Sequence, residues 1–292
     1  MARQRTRLSF ALALALLGTC GGSARAAPPQ PAASPLLQAP PSLAAQPNPA
    51  TAGAVVVAVD PGHGGTNLGA AGPGLGVGVG VGVYEKRLML ALAKRLRALL
   101  AEDPPAGAPA VTVVLCRDSD GLVPIRARAR CARESGARLF LSLHANAVPA
   151  GAPRGSQRGF EVFVLGPREV EDDAALAVLG QANDAEAVWA AHEVRAAGER
   201  SVLLARIVMD QLTRALGGDK ARGIKQSGAA LDVLRGTATA AALVEVGFID
   251  HPEEGPLLAS AEGREPIARA LASAVRAYIL VSGNPGPNST EN

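Results

Sequence analysis

Four residues of this chain have types and positions suited to catalysis: His63, Glu85, His144 and Glu245. Residues 55–65 read VVVAVDPGHGG, an apolar, β-branched run broken by Asp60-Pro61-Gly62, with His63 standing in the break. The run has the composition of a buried strand. Proline ends the strand ladder, and glycine opens backbone angles closed to other residues. Residues 139–144, LFLSLH, deliver His144 in the same manner, and residues 242–245, ALVE, deliver Glu245. In open α/β sheets, ligands bind outside such strand ends. Glu85 opens a different pattern, EKRLMLALAKRLRALL. Its leucines recur at helical spacing with basic residues opposite, so Glu85 falls in the first turn of a helix.

Taken singly, each histidine reads as a polar residue at a strand mouth. Glu85 alone reads as a carboxylate favoured by the helix dipole. Taken together, two imidazoles and one carboxylate leave a coordination position open, which is the ligand set of a hydrolytic zinc site. Such a metal lowers the pKa of bound water and polarises a carbonyl. A further carboxylate is then needed to carry the proton from water to the leaving amine, and Glu245 can fill that role. The chain has no His-Glu-x-x-His motif. These ligands therefore have to converge through the fold.

The elements that must position them alternate. Strand-like runs cover residues 55–60, 111–116, 138–143, 160–165, 229–234 and 241–246. Helical patterns follow Glu85 and Pro124, run from 171 to about 216 in two or three pieces interrupted near Gly198, and close the fold over 265–280. This alternation predicts an α/β fold: one domain with a twisted, mostly parallel or mixed sheet and helices on both faces. The arginines at 126, 128, 130 and 133 read as a solvated helix face with one or two structural ion pairs. The Gly-Val repeat before Tyr84 does not fit a nucleotide-binding G-x-G-x-x-G turn and reads as a low-complexity loop expansion.

The ends of the chain read differently from its middle. Arg3, Arg5 and Arg7 precede an apolar run over residues 8–17 and then Ala24-Arg25-Ala26. That order predicts a secretory signal over residues 1–26, and its apolar run is too short to span a bilayer stably. Residues 27–53 are rich in Ala, Pro, Gln and Ser with almost no charge, and read as a disordered linker. Residues 282–292 read as a disordered tail. The rest, 54–281, is about 230 residues, the size of one catalytic domain. The chain is 48% hydrophobic but only 3% aromatic, so its core must be built from Ala, Leu and Val. A formal charge of +3 with no basic stripe interleaved with aromatics gives no nucleic-acid signature. Cys116 and Cys131 can pair or stand as two small buried hydrophobes; without a Cys-x-x-Cys spacing they make a poor zinc site, and we read them as free thiols. Cys20 lies in a partial lipobox, and soluble export ranks above lipid anchoring there.

The blocks VVVAVDPGHGG, YEKRLMLALAKRL, CRDSDGLVPIRARAR, LFLSLHANA, RGFEVFVL, ARGIK and LVEVGFIDHPEE, in this order, resemble the zinc-dependent N-acetylmuramoyl-L-alanine amidases of bacterial cell walls. The resemblance covers 54–281. It implies a twisted mixed sheet, zinc held by His63, Glu85 and His144, and Glu245 as the catalytic carboxylate. It implies peptidoglycan as substrate, cut between N-acetylmuramic acid and L-alanine of the stem peptide. The signal, with no other run approaching a membrane span, predicts an exported, periplasmic or envelope-associated protein with no transmembrane span in the mature chain; the resemblance allows for a protein activator. Arg222 and Lys225 become rim residues by the same resemblance. The alternatives are a zinc hydrolase of another amide, such as a deacetylase, and a non-catalytic module that binds cell wall or a partner. The chain departs from the family at Cys116, where threonine is common, and at His251, where asparagine is. His251 reads as a surface loop residue and not as a ligand. Some members insert a helix that covers the zinc; residues 184–198, with Trp189, Glu186, Glu193 and His192, lie in the comparable region but read as an ordinary amphipathic surface helix.

Overall fold

The computed structural model describes residues 53–72, 83–102, 104, 108–179, 181–226 and 231–283. The expected signal segment, nearly all of the linker, most of the tail and the Gly-Val repeat lie outside these residues. The apolar run Val55–Pro61 forms β1, with Val57, Ala58 and Val59 fully buried. Glu85–Ala101 forms α1 and buries Leu88, Met89, Leu92, Leu96 and Leu99, while Arg87 and Lys94 stay exposed. Then follow β2 (Val111–Leu115), α2 (Ile125–Glu134), β3 (Leu139–Asn146), β4 (Phe160–Val164), α3 (Pro167–Val178) and α4 (Asp184–Leu216). The order closes with β5 (Ala221–Gln226), β6 (Ala240–Phe248), α5 (Glu254–Ala259) and α6 (Ala261–Val281).

The six strands make one sheet in the order β2-β1-β3-β6-β4-β5. All neighbours are parallel except β4 and β6, so the sheet is mixed and mostly parallel. Its two faces follow from the alternation of side chains along each strand. Val57, Val59, Leu139, Leu141, Leu143, Ala242 and Val244 pack with the leucines of α1 and with residues of α4 and α6. Ala58, Phe140, Ala241 and Leu243 face the other way, against Cys116, Cys131 and Ala132. Register decides what reaches the sheet edge. His144 on β3 lies opposite Glu245 on β6, and Glu245 lies opposite Glu161 on β4. Paired residues share a face, so these three side chains rise from the sheet side by side.

Three expectations need correcting. Residues 232–236 form turns where a strand was expected over 229–234, and the fifth strand is Ala221–Gln226 instead. That strand, ARGIKQ, lies at the sheet edge with one partner and no fully buried residue, so it never needed an apolar sequence. Leu231, Val233 and Leu234 are apolar because they fill the second core layer as irregular chain. Helix α4 runs through Gly198 without a break. A Cβ at Gly198 would stand 3.0 Å from the methyls of Val170 on α3, so this glycine permits close helix packing and not an interruption. Cys116 and Cys131 are joined as a disulfide, not free thiols. The end of β2 and the middle of α2 bring them together, a proximity that their 15-residue separation does not reveal.

Candidate active site

Proline ends β1, and the next residues turn under tight constraint. His63 has φ +61°, a left-handed conformation that costs an L-residue about 1–2 kcal/mol. The turn is held from below by two buried guanidinium groups. Arg128 donates to Asp60 Oδ1, to the carbonyl of Pro61 at 2.8 Å and to the carbonyl of His63. Arg117 donates to the carbonyls of Pro61 at 3.1 Å, Gly62 at 2.8 Å and Lys86 at 2.9 Å. Asp60 also accepts from Ser142 Oγ at 2.9 Å, which closes the network on β3. A fully buried Asp60 is acceptable only because this cation faces it. Arg128 is thus one of the expected structural ion pairs, but it is buried, while Arg126, Arg130 and Arg133 are exposed.

His63, Glu85 and His144 converge from β1, α1 and β3, their ligand atoms all within 4.8 Å of one another. His63 Nε2 is 2.9 Å from Glu85 Oε2, and His144 Nδ1 is 3.0 Å from Glu85 Oε1. The two rings meet edge to face with centroids 4.8 Å apart. Asn67 Oδ1 accepts from Gly69 N–H, so it also takes the His63 Nδ1–H at 3.0 Å. That leaves Nε2 as the nitrogen turned to the carboxylate. Glu85 further accepts from the amides of Ala70 at 2.8 Å and Ala145 at 3.0 Å. Two glycines make room. A side chain at Gly62 would enter the His144 ring, and one at Gly69 (φ +69°) would stand 2.6 Å from Glu85 Oε2.

The charges respond to this packing. Burial pushes the Glu85 carboxyl up, but its hydrogen bonds to His144 and His63 and their charges win and hold it well below the ordinary range. Burial pulls His63 down, yet the hydrogen bond and charge of Glu85 outweigh it and leave the imidazole raised. Glu245 has the opposite balance. Burial, and then the charges of Glu85 and Glu161, push it up to about 8, and its Oε2 is buried with no hydrogen-bond partner among the described residues. Glu161 beside it is fully engaged: Asn146 donates to it at 2.7 Å, Arg222 at 3.0 Å, and Lys225 also pairs with it.

Among the described residues, the His/Glu/His cluster could hold a metal ion. Two imidazole nitrogens face the two oxygens of one carboxylate, and each facing pair needs a proton or a cation between acceptors. Nitrogen and oxygen donors in this combination, with a hydrogen bond fixing the far nitrogen of His63, suit a zinc-like ion.

The other sequence candidates go elsewhere. His251 is buried, not a surface residue; its Nδ1 accepts from the amides of Glu253 and Glu254 at the start of α5. His192 lies beside Trp189 with ring centroids 5.8 Å apart. Asn183 caps α4 by accepting from the Glu186 amide, the Glu186 carboxylate accepts from the Ala182 amide, and Glu193 pairs with Arg200, so 184–198 contributes nothing to the cluster. Arg222 and Lys225 stand on the edge strand β5 as partners of Glu161. Sequence reasoning missed Asn67, Arg117 and Glu161, and the place of the Asp60–Arg128 pair beneath the site. One signal was available: an aspartate ending an apolar strand demands a buried cation nearby.

A family model described as N-acetylmuramoyl-L-alanine amidase matches residues 57–277. The chain is 30% identical over 240 residues to N-acetylmuramoyl-L-alanine amidase AmiA of Escherichia coli K12, covering 77% of this chain and 76% of that protein. It is similar to the solved structure of N-acetylmuramoyl-L-alanine amidase AmiC2 of Nostoc punctiforme, with TM-score 0.56 and 29% identity over 78% of this chain and 98% of that one. The fold also matches an N-acetylmuramoyl-L-alanine amidase from Clostridium difficile 630, with TM-score 0.59 and 24% identity over 80% of this chain and 100% of that one.

Proposed function

The chain belongs to the N-acetylmuramoyl-L-alanine amidase family, and we propose that it hydrolyses peptidoglycan at the amide between the lactyl group of N-acetylmuramic acid and L-alanine, with His63, Glu85 and His144 holding a zinc ion and Glu245 moving the proton. The observation that carries this reading is the meeting of those three side chains beside the buried Glu245, whose Oε2 has no hydrogen-bond partner among the described residues. When bound, the ion supplies Lewis-acid polarisation of the scissile carbonyl and a more acidic water.

The rest is the work of this chain's own side chains. Glu85 brings a carboxylate that is ionised across the working pH range, because its two imidazole partners hold it so. Asn67 fixes the His63 ring by its Nδ1. Glu245 Oε2 has no other protein partner among the described residues, so it is free to accept a proton from the attacking water. A carboxyl whose pKa lies near neutrality can also give that proton up, here to the departing amine of L-alanine. The C–N bond breaks as the nitrogen is protonated, leaving a lactyl carboxylate and a free α-amine.

Export completes the proposal. The basic, apolar and small-residue order of residues 1–26 is a secretory signal. The Cys116–Cys131 disulfide belongs in an oxidising compartment such as the periplasm. Among the described residues no helix is long and apolar enough to cross a membrane. The test is digestion of purified peptidoglycan with product analysis and metal assay on the same preparation. Stem peptides with a free L-alanine amine, released by a zinc-containing protein, are expected. Released acetate with the stem peptides still attached would overturn the assignment.

A further inference from the structure

We propose that the Cys116–Cys131 disulfide and the two buried arginines beside it form a single clamp that sets the metal affinity of the site, by holding His63 in the conformation that faces Glu85. The inference rests on His63 and Glu85 being metal ligands, as argued above. Three consecutive carbonyls, those of Pro61, Gly62 and His63, all point at guanidinium groups. Arg128 takes the carbonyl of the strained residue itself. Arg117 joins the turn to the backbone of Lys86, the residue after Glu85, and so fixes one ligand-bearing element against another. Both arginines are almost wholly buried.

The cysteines sit where they lock these two side chains together. Cys116 directly precedes Arg117, and its amide donates to Val59 of β1 at 2.9 Å. Cys131 lies one turn after Arg128 on α2. Helix α2 needs such an anchor. It is ten residues long, and besides Arg128 its buried residues are Ala129, Cys131 and Ala132, with no large apolar side chain among them. On its flank towards α3 and α4 runs a cavity of about 950 Å³, lined from α2 by Ile125, Arg126, Ala129, Arg130 and Arg133. A short helix with so little apolar burial is marginal. The covalent bond replaces the missing packing and keeps Arg128 under the His63 carbonyl.

Arg117 and Arg128 are positioning residues here, since they act through the backbone of His63. The experiment is zinc affinity, read by competition with a chromophoric chelator. It compares the wild type, C116A/C131A, Arg128→Lys and His63→Ala, at a temperature where circular dichroism shows each folded. Arg128→Lys keeps a cation for Asp60 but loses the fork that spans Asp60, Pro61 and His63. The cysteine pair and Arg128→Lys should each weaken zinc binding about 10- to 100-fold, the range for outer-shell partners of metal ligands. His63→Ala should abolish it. If the cysteine variant does not fold, the wild type titrated before and after reduction by a phosphine gives the same comparison. Affinity within twofold of the wild type without the disulfide overturns the inference, while the loss in His63→Ala leaves the site assignment standing. Wild-type affinity in His63→Ala overturns both.

Discussion

The two halves of the site treat their carboxyl groups in opposite ways. Glu85, on α1, faces two imidazole nitrogens, accepts from two backbone amides and is held well below the usual carboxylate range. Glu245, on β6 in register with His144, keeps a buried oxygen without a partner among the described residues and rises to about 8. Burial pushes both upward. What differs is the donors: one carboxyl is surrounded by them, and the other faces only the charges of its fellow glutamates. The first half keeps its carboxyl ionised and could hold a cation, the second keeps its carboxyl protonated, and hydrogen bonds and neighbouring charges together separate the two.

The strongest way to break that contrast is to neutralise each carboxyl in turn. Glu245→Gln should lower kcat on purified peptidoglycan by about 10²–10⁴-fold, the usual worth of a general acid–base, with zinc content unchanged. Glu85→Gln should instead lose zinc, and activity with it. Metal assay beside steady-state kinetics separates these outcomes. Loss of zinc from Glu245→Gln would mean that the halves are not distinct.

Stability against pH sharpens the comparison at a smaller scale. In chelated protein the Glu85 carboxyl lies lower in the folded chain than in the unfolded one. Its contribution is present above the ordinary value of 4.5 and is lost on acidification. His63 lies higher, so its contribution is present below 6.5 and is lost as pH rises. Glu245 also lies higher, and its contribution fades between 4.5 and about 8. The chelated protein should therefore melt highest near 4.5, where the Glu85 contribution is complete and the loss from Glu245 begins. Glu245→Gln should flatten the decline between 4.5 and 6.5, leaving the loss from His63 above that. At pH 8 its Tm should exceed that of the wild type by about 2–4 °C for each kcal/mol recovered. A scanning fluorimetry series on chelated protein reads this, and a variant that melts no higher than wild type at pH 8 would show that ionising Glu245 costs the fold nothing.

Much of this was legible in the chain. VVVAVDPGHGG, LFLSLH and ALVE state strands that end in polar residues, and the leucine spacing after Glu85 states a helix, because burial imposes periodicity on a sequence. The edge strand ARGIKQ was not legible, since an edge strand with one partner carries no such periodicity. Nor was the support of the site. Arg128 and Arg126 stand two residues apart in one arginine run, and only the crossing of α2 over β1 makes one buried and the other exposed. The disulfide escaped for the same reason, because proximity belongs to the topology and not to the spacing.

Arginines that look alike in sequence therefore offer the smallest and cleanest test. Arg195 on α4 forks onto Glu171 of α3 with bonds of 2.8 Å, as good a geometry as any ion pair near the site. Yet its side chain is 51% exposed and that of Glu171 58%, whereas Arg128 and Asp60 are 6% and 0% exposed. Water solvates each partner of the outer pair when the other is removed, and salt screens their attraction. Breaking the inner pair strands a charge in the core instead. Arg195→Ala should lower the urea midpoint only slightly, less still at high salt, and leave zinc affinity and turnover unchanged. A larger loss, or any change in zinc affinity, would mean that the α3–α4 pair is coupled to the site and that exposure does not decide which arginines matter.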